Sequence, residues 1–215
     1  MRRFVSSIAV VLLLGSSLPE DALLAQGPGR PPGKVELTAL GGYQFGGGIG
    51  TGVGDLHLDG NPHYGGILGF RVRPDGLVEL SYNYLGSTMS LVDRPLEPDT
   101  TLGDISVHQI QIGGAVEKLG GRVLPFGMGH LGVTIFSPEG GVQDSETRFS
   151  AALGGGVKVP FSSGRAGLRL QGRVWFALFG SDGGFWCSLP GACAVTVTGT
   201  ALVQGEVSAG LYLSP

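Results

Sequence analysis

Charge is scarce in this chain. Asp, Glu, Lys and Arg make up 14 % of its 215 residues, while 42 % are hydrophobic. Soluble domains carry roughly 25 % charged residues, so a soluble fold would struggle to cover its surface. There is no basic excess either: the formal net charge is −3. Without a basic stripe to neutralise phosphates, nucleic acid is excluded as a partner. Cysteine is nearly absent, with only Cys187 and Cys193. Beyond the N-terminal leader, no apolar run reaches the roughly 18 residues of a membrane-spanning helix. G-x-S-x-G, HExxH and P-loop motifs are missing too, which removes the common sequence handles for catalysis, and no cofactor motif is found.

The first residues have the pattern of a secretory signal peptide. Arg2 and Arg3 form a basic start, an apolar stretch covers 4–15, and a cleavage point is expected after Ala25. The expected organisation is a leader over 1–25, an extended linker over 26–33 (QGPGRPPG), and one domain over 34–215.

That domain is written in period two. In LVELSYNYLGS (77–87), Val78, Leu80, Tyr82 and Tyr84 share one face, while Glu79, Ser81 and Asn83 share the other. Eight such segments are expected, over 34–46, 63–73, 77–87, 106–118, 123–137, 147–161, 167–180 and 200–213. These are long for soluble strands and suit tilted membrane strands. Short connections follow the even-numbered segments and longer ones the odd-numbered segments. Bacterial outer-membrane barrels alternate in this way, with short periplasmic turns and longer external loops. A chain that enters a membrane without helices must close its sheet. The expected fold is therefore all-β: an eight-stranded antiparallel up-and-down transmembrane β-barrel. Ten strands remain open, since two of the longer connections have room for short ones.

Pro74-Asp75-Gly76 predicts a tight hairpin, with the glycine taking a positive φ. Aromatic residues are expected in two girdles. Tyr43, Phe45, Tyr64, Tyr84, Phe136 and Phe149 belong to the external one, and Phe70, Phe126 and Phe161 to the periplasmic one.

The opposite face carries charge. Glu36, Glu79, Glu117 and Glu206 point inward with Arg71, Arg148, Lys158, Arg169 and Arg173, joined by glutamines, serines and Asn83. An eight-stranded barrel has an interior that side chains fill. Buried charges need partners, so Arg–Glu pairing is expected and a plugged lumen is favoured over a conduit.

Metal and catalytic clusters are weak. Asp55, His57, Asp59, Asn61 and His63 crowd one loop without a recognised ligand spacing. A lipid-cleaving scheme from Ser106, His108 and Glu146 has no supporting spacing. No metal, cofactor or catalytic set is expected.

VELTALGGYQFGG (35–47), YGGILGFRVRPDGLVELSY (64–82), the strand around Leu124-Pro125-Phe126 and Gly132-Val133-Thr134, and RFSAALGGGVKVP (148–160) together resemble the small bacterial outer-membrane β-barrel family. That family is similar in architecture to the transmembrane domain of OmpA and to OmpX. The resemblance implies residence in the outer membrane, with its lipids and the barrel assembly machinery as partners and without assigned catalysis. Such barrels usually end in an aromatic residue, whereas here Tyr212 precedes a terminal Leu-Ser-Pro.

The functional expectation is a non-enzymatic barrel with a structural role or an external ligand bound by its loops. The alternatives are a narrow pore, an outer-leaflet lipid hydrolase and a secreted calyx with the opposite facing of charge. In FWCSLPGAC (185–193), five residues separate the cysteines. That spacing is neither a CxxC redox motif nor a four-ligand set, so a local disulfide between Cys187 and Cys193 is expected outside the cytoplasm. Phe185 and Trp186 beside it are candidates for a loop contact.

Overall fold

The computed structural model describes residues 33–51, 54–92, 100–139, 145–162, 164–178, 184–187, 193–196 and 201–215. The expected leader and most of the linker lie outside them. The described residues form strands without helices: β1 (Val35–Gln44), β2 (Gly47–Thr51), β3 (Gly54–Leu58), β4 (Asn61–Arg73), β5 (Gly76–Val92), β6 (Thr100–Glu117), β7 (Leu124–Pro138), β8 (Glu146–Pro160), β9 (Ala166–Leu178), β10 (Gly184–Cys187), β11 (Cys193–Thr196) and β12 (Ala201–Leu213).

Eight of these make the wall, each antiparallel to the next in the order β1-β4-β5-β6-β7-β8-β9-β12, and β12 returns to β1. Closure removes free edges and satisfies the backbone without water. Residues of alternating parity face in and out. In β9, Arg169, Gln171, Arg173 and Trp175 are buried, while Leu168, Leu170 and Val174 are exposed on the outer wall.

One end of the barrel has tight turns. Arg73 pairs with Gly76 around the two-residue turn Pro74-Asp75. Gly76 therefore opens β5 with an ordinary strand φ, contrary to the expected positive φ. The left-handed glycines are Gly120 (φ 101°) and Gly164 (φ 69°), in the other two turns of this end.

The opposite end carries the strand extensions. Residues 47–58, expected as a loop, continue the first hairpin as β2 and β3 with unbroken register (Gln44↔Asn61, then Gly47↔Leu58). β5 and β6 run well past their expected ends, with a bulge at Met89/Ser90 where Gly103 takes φ 139°. β10 and β11 form a separate two-stranded ribbon. These additions leave the closed barrel at eight strands.

The aromatic girdles need two corrections. Phe126 and Phe136 have inward parity and are buried, at 6 % and 0 % exposure. Tyr43, Phe45, Tyr64, Phe70, Phe149 and Phe161 are exposed on the outer wall, together with Tyr82.

Candidate functional site: the barrel interior

Every charged residue expected inside has inward parity, and the side chains stack in layers from the turn end upward. At the bottom, Lys158 on β8 points its Nζ between two carboxylates, 2.5 Å from Oε1 of Glu36 and 2.5 Å from Oε1 of Glu117. Arg71 closes the group, donating to Glu117 at 3.0 Å and standing 3.8 Å from Glu36. The Tyr212 ring covers Lys158, with Nζ 5.4 Å from its centroid. The last aromatic residue of β12 thus faces the lumen, and the outward positions beside it are Leu211 and Leu213.

One strand step higher on β9, Arg169 forms a two-point bond to Glu79, at 2.7 and 3.2 Å. Two parallel N–H···O bonds are the strongest geometry available to a guanidinium and carboxylate. Its Nε donates to Gln171 at 2.8 Å, and its plane lies 4.5 Å from the Phe126 centroid. His130 Nε2 stands 3.2 Å from Glu79. A 3.8 Å approach of Arg169 to Glu36 joins this layer to the one below.

The third layer is centred on Glu206. Its Oε1 accepts from Arg173 Nη2 at 2.8 Å and from Ser208 at 2.9 Å. Its Oε2 accepts from Trp175 Nε1 at 2.7 Å and from Asn83 at 3.1 Å. His63 lies 3.5 Å away, and the Arg173 guanidinium stacks 4.7 Å from the Trp175 ring. Above, Gln44 donates to Gln204 at 3.0 Å and Gln111 to Ser150 at 3.1 Å.

Arg148 is the exception among the expected network residues. It pairs with Glu146 on its own strand, apart from the three ionic layers. Glu146 was missing from the expected inward set and balances the odd base.

The interior changes character toward the extended end. Leu58, Leu85, Met89, Ile105, Val107, Phe136, Ala177 and Leu202 form one buried apolar cluster inside the wall. Nothing in the sequence reading anticipated it, although the signal was present. Leu85 and Met89 continue the parity of Glu79, Ser81 and Asn83. The same rule places Trp175 inside after Arg173, and His63 and His130 as well.

Glycine makes room for these side chains. Gly154 is the cross-strand neighbour of Arg173, and a Cβ there would stand 2.9 Å from Arg173 Cγ. Gly113 faces His130, where a Cβ would stand 2.7 Å from the ring. Large polar residues cross a narrow lumen by lying over neighbours that lack a side chain.

The outer wall carries no assembled catalytic set among the described residues. Ser106 Oγ donates to Glu139 at 3.1 Å, and His108 Nδ1 is bonded to the Tyr82 hydroxyl at 2.9 Å. No Ser–His hydrogen bond forms, and Glu146 points through the wall to the interior. The imagined metal loop also separates. His57 is half-buried and Asp59 exposed, 3.9 Å apart, while His63 is turned into the lumen. No group of three or more metal-ligating side chains occurs among the described residues.

In the β10–β11 ribbon, Cys187 and Cys193 are cross-strand partners. The side chains of both cysteines, and of Phe185 and Trp186, lie outside the described residues.

No family model and no curated protein matches this chain. Solved structures do. The chain is similar to Neisserial surface protein A, with TM-score 0.56 and 14 % identity over 86 % of this chain and 100 % of that one. The outer-membrane protein OprG of Pseudomonas aeruginosa gives TM-score 0.53 and 15 % identity, over 87 % and 99 %. The outer-membrane protein AlkL, solved in lipid bilayers, gives 0.55 and 11 %, over 93 % and 96 %. The fold is that of the small outer-membrane β-barrels. The calyx alternative fails on the same ground as the facing of charge: apolar residues cover the outside and the ionic groups fill the inside.

Proposed function

We propose that this chain is an integral outer-membrane barrel without catalytic activity, whose lumen is a plug. Its turn end faces the periplasm, and its extended end, with the β10–β11 ribbon, faces outward. The observation that carries the plug reading is the unbroken stack Lys158–Glu36/Glu117, Arg169–Glu79 and Arg173–Glu206. These pairs are buried and joined by further hydrogen bonds, and the apolar cluster sits above them. An ion crossing this interior would have to break each pair in turn, which costs several kcal/mol per uncompensated charge.

The role left to such a barrel is structural, or exercised by the extended strands and their loops on an external ligand. The cysteines are read as a disulfide that closes the ribbon, consistent with their facing positions and an oxidising compartment. Insertion by the barrel assembly machinery belongs to the same reading.

Planar-bilayer recording tests the plug. The expected result is no steady conductance from the folded chain. Reproducible openings that disappear when the chain is unfolded would establish the narrow-pore alternative instead. Membrane fractionation, with gels run with and without boiling, tests the barrel in its membrane. Recovery in the soluble periplasm without a heat-dependent mobility shift would sink the assignment.

A further inference from the structure

The lipid-facing wall is uneven. A groove of about 630 Å³ runs over β1 between β12 and β5. Its floor is the cross-strand pair Ala39 and Gly66, where the wall has almost no side chain. Leu211 bounds it on one side and Tyr82 on the other, because Ala39 pairs with Leu211 and Gly66 with Tyr82. Its lining is almost wholly apolar, and its volume falls within the roughly 300–1,000 Å³ of sites for small ligands. One step toward the turn end the wall fills out again with leucines, and Phe161 flanks the groove mouth. The groove therefore lies in the half of the wall nearest the turns.

That end is also positively charged. Among the described residues, Lys34, Arg73, Lys118, Arg122 and Arg165 are exposed there, against the half-buried Asp75 and the terminal carboxylate of Pro215. Among the described residues of the extended end, the exposed charges are Asp55, Asp59, Asp104 and Glu139. Two of the bases flank the groove. Ser214 donates its backbone N–H to the Arg165 carbonyl at 2.6 Å and its hydroxyl to the Gly33 carbonyl at 3.4 Å. This clasp holds Lys34 and Arg165 at one stretch of rim, beyond Leu213 and Ala166 of the groove lining.

An apolar groove with a cationic rim beyond it is complementary to a molecule with an alkyl tail and an anionic head. We propose that the groove is a site for one anionic phospholipid of the periplasmic leaflet. An acyl chain lies over Ala39 and Gly66, and the phosphate meets Lys34 and Arg165. The proposal rests on the outer-membrane reading above. The leaflet follows from the position of the groove, and the preference for negative charge follows from the rim.

The test is native mass spectrometry of the full chain released from nanodiscs of phosphatidylglycerol or of phosphatidylcholine. Wild type is expected to retain one phosphatidylglycerol and to lose phosphatidylcholine. Ala39→Phe, which fills the groove from the lipid side, should lose the bound lipid. Ala151→Phe, on the outer face of β8, should keep it. The double variant Lys34→Gln/Arg165→Gln should lose phosphatidylglycerol as readily as phosphatidylcholine. Undiminished retention by Ala39→Phe, or no headgroup preference in wild type, would overturn the site.

A wild-type arm avoids dependence on folding of the variants. Phosphatidylglycerol with a diazirine in its acyl chain should crosslink to β1 and β4, and adducts spread evenly round the barrel would count against the groove. Carbonate extraction of the same samples separates the two readings. A chain that leaves the membrane refutes the outer-membrane assignment and the site with it, whereas a chain that stays without selective lipid refutes only the site.

Discussion

Arg173 on β9 and Glu206 on β12 are cross-strand partners, and the guanidinium reaches the carboxylate at 2.8 Å with no solvent exposure of either side chain. Trp175, Asn83 and Ser208 all donate to the same carboxylate. Removing Glu206 would strand a buried cation and three donors at once. Glu206→Ala is expected to lower stability by about 3–5 kcal/mol. Arg173→Met/Glu206→Leu should cost less than that single change, because the pair leaves together. Urea titrations of the heat-modifiable band measure both, and a double variant weaker than the single would contradict the pairing argument.

The glycines facing the lumen should behave unlike those facing lipid. Gly154→Ala pushes a methyl group against the Arg173 side chain and the backbone of β9. A cost of about 1–3 kcal/mol is expected for such overpacking. Gly127→Ala, on the outer wall with open space around it, should be neutral in the same titration. Equal effects at the two sites would show that glycine serves strand flexibility alone.

Phe136 lies at 0 % exposure in the apolar cluster of the upper lumen. Phe136→Ala should open a cavity costing about 3–5 kcal/mol. An outward aromatic on the neighbouring strand, Phe149, opposite Val133, should lose far less on the same truncation, since lipid fills the gap. Comparing the two variants in one titration checks which face each ring occupies.

On the outer wall the Tyr82–His108 hydrogen bond joins β5 to β6 at 2.9 Å. Tyr82→Phe should cost about 1 kcal/mol and leave any lipid profile of the host membrane unchanged. A changed lipid A or phospholipid profile on overexpression of wild type, abolished by Ser106→Ala or His108→Ala, would revive the hydrolase reading.

The facing positions of Cys187 and Cys193 predict a chain that resists alkylation until reduced. Closing so short a loop contributes up to roughly 2–3 kcal/mol by the chain-entropy argument, and the effect should be confined to the ribbon. Reduction is expected to expose the ribbon to protease without altering the heat-dependent mobility of the barrel. Global unfolding on reduction would overturn that assignment.

Much of this architecture is legible in one dimension because a β-strand encodes its two faces by parity. Glu79, Ser81 and Asn83 alternating with Val78, Leu80 and Tyr82 identify the inside and the outside of β5. The same count assigns Glu36, Lys158, Arg169, Arg173 and Glu206. Phe126 and Phe136 depart from the girdle expectation because parity, not aromatic character, decides which face a strand residue takes. Leu85 and Met89 are harder to read because the inward face of β5 changes from polar to apolar along the strand. The β2–β3 extension was hidden by its glycines, which read as loop until backbone pairing shows otherwise.

The amino-acid sequence on its own determined the closed all-β wall, its eight spanning strands and the inward set of charges. Each follows from local periodicity and from the scarcity of exposed charge. Only the tertiary structure decided which charges meet. Lys158 is paired with Glu36, 122 residues away along the chain, and Arg169 with Glu79, 90 residues away. Those pairings depend on how the strands are staggered round the barrel, and strand register is a property of the whole closed sheet. The same stagger leaves Ala39 beside Gly66 and so creates a groove that neither strand shows alone.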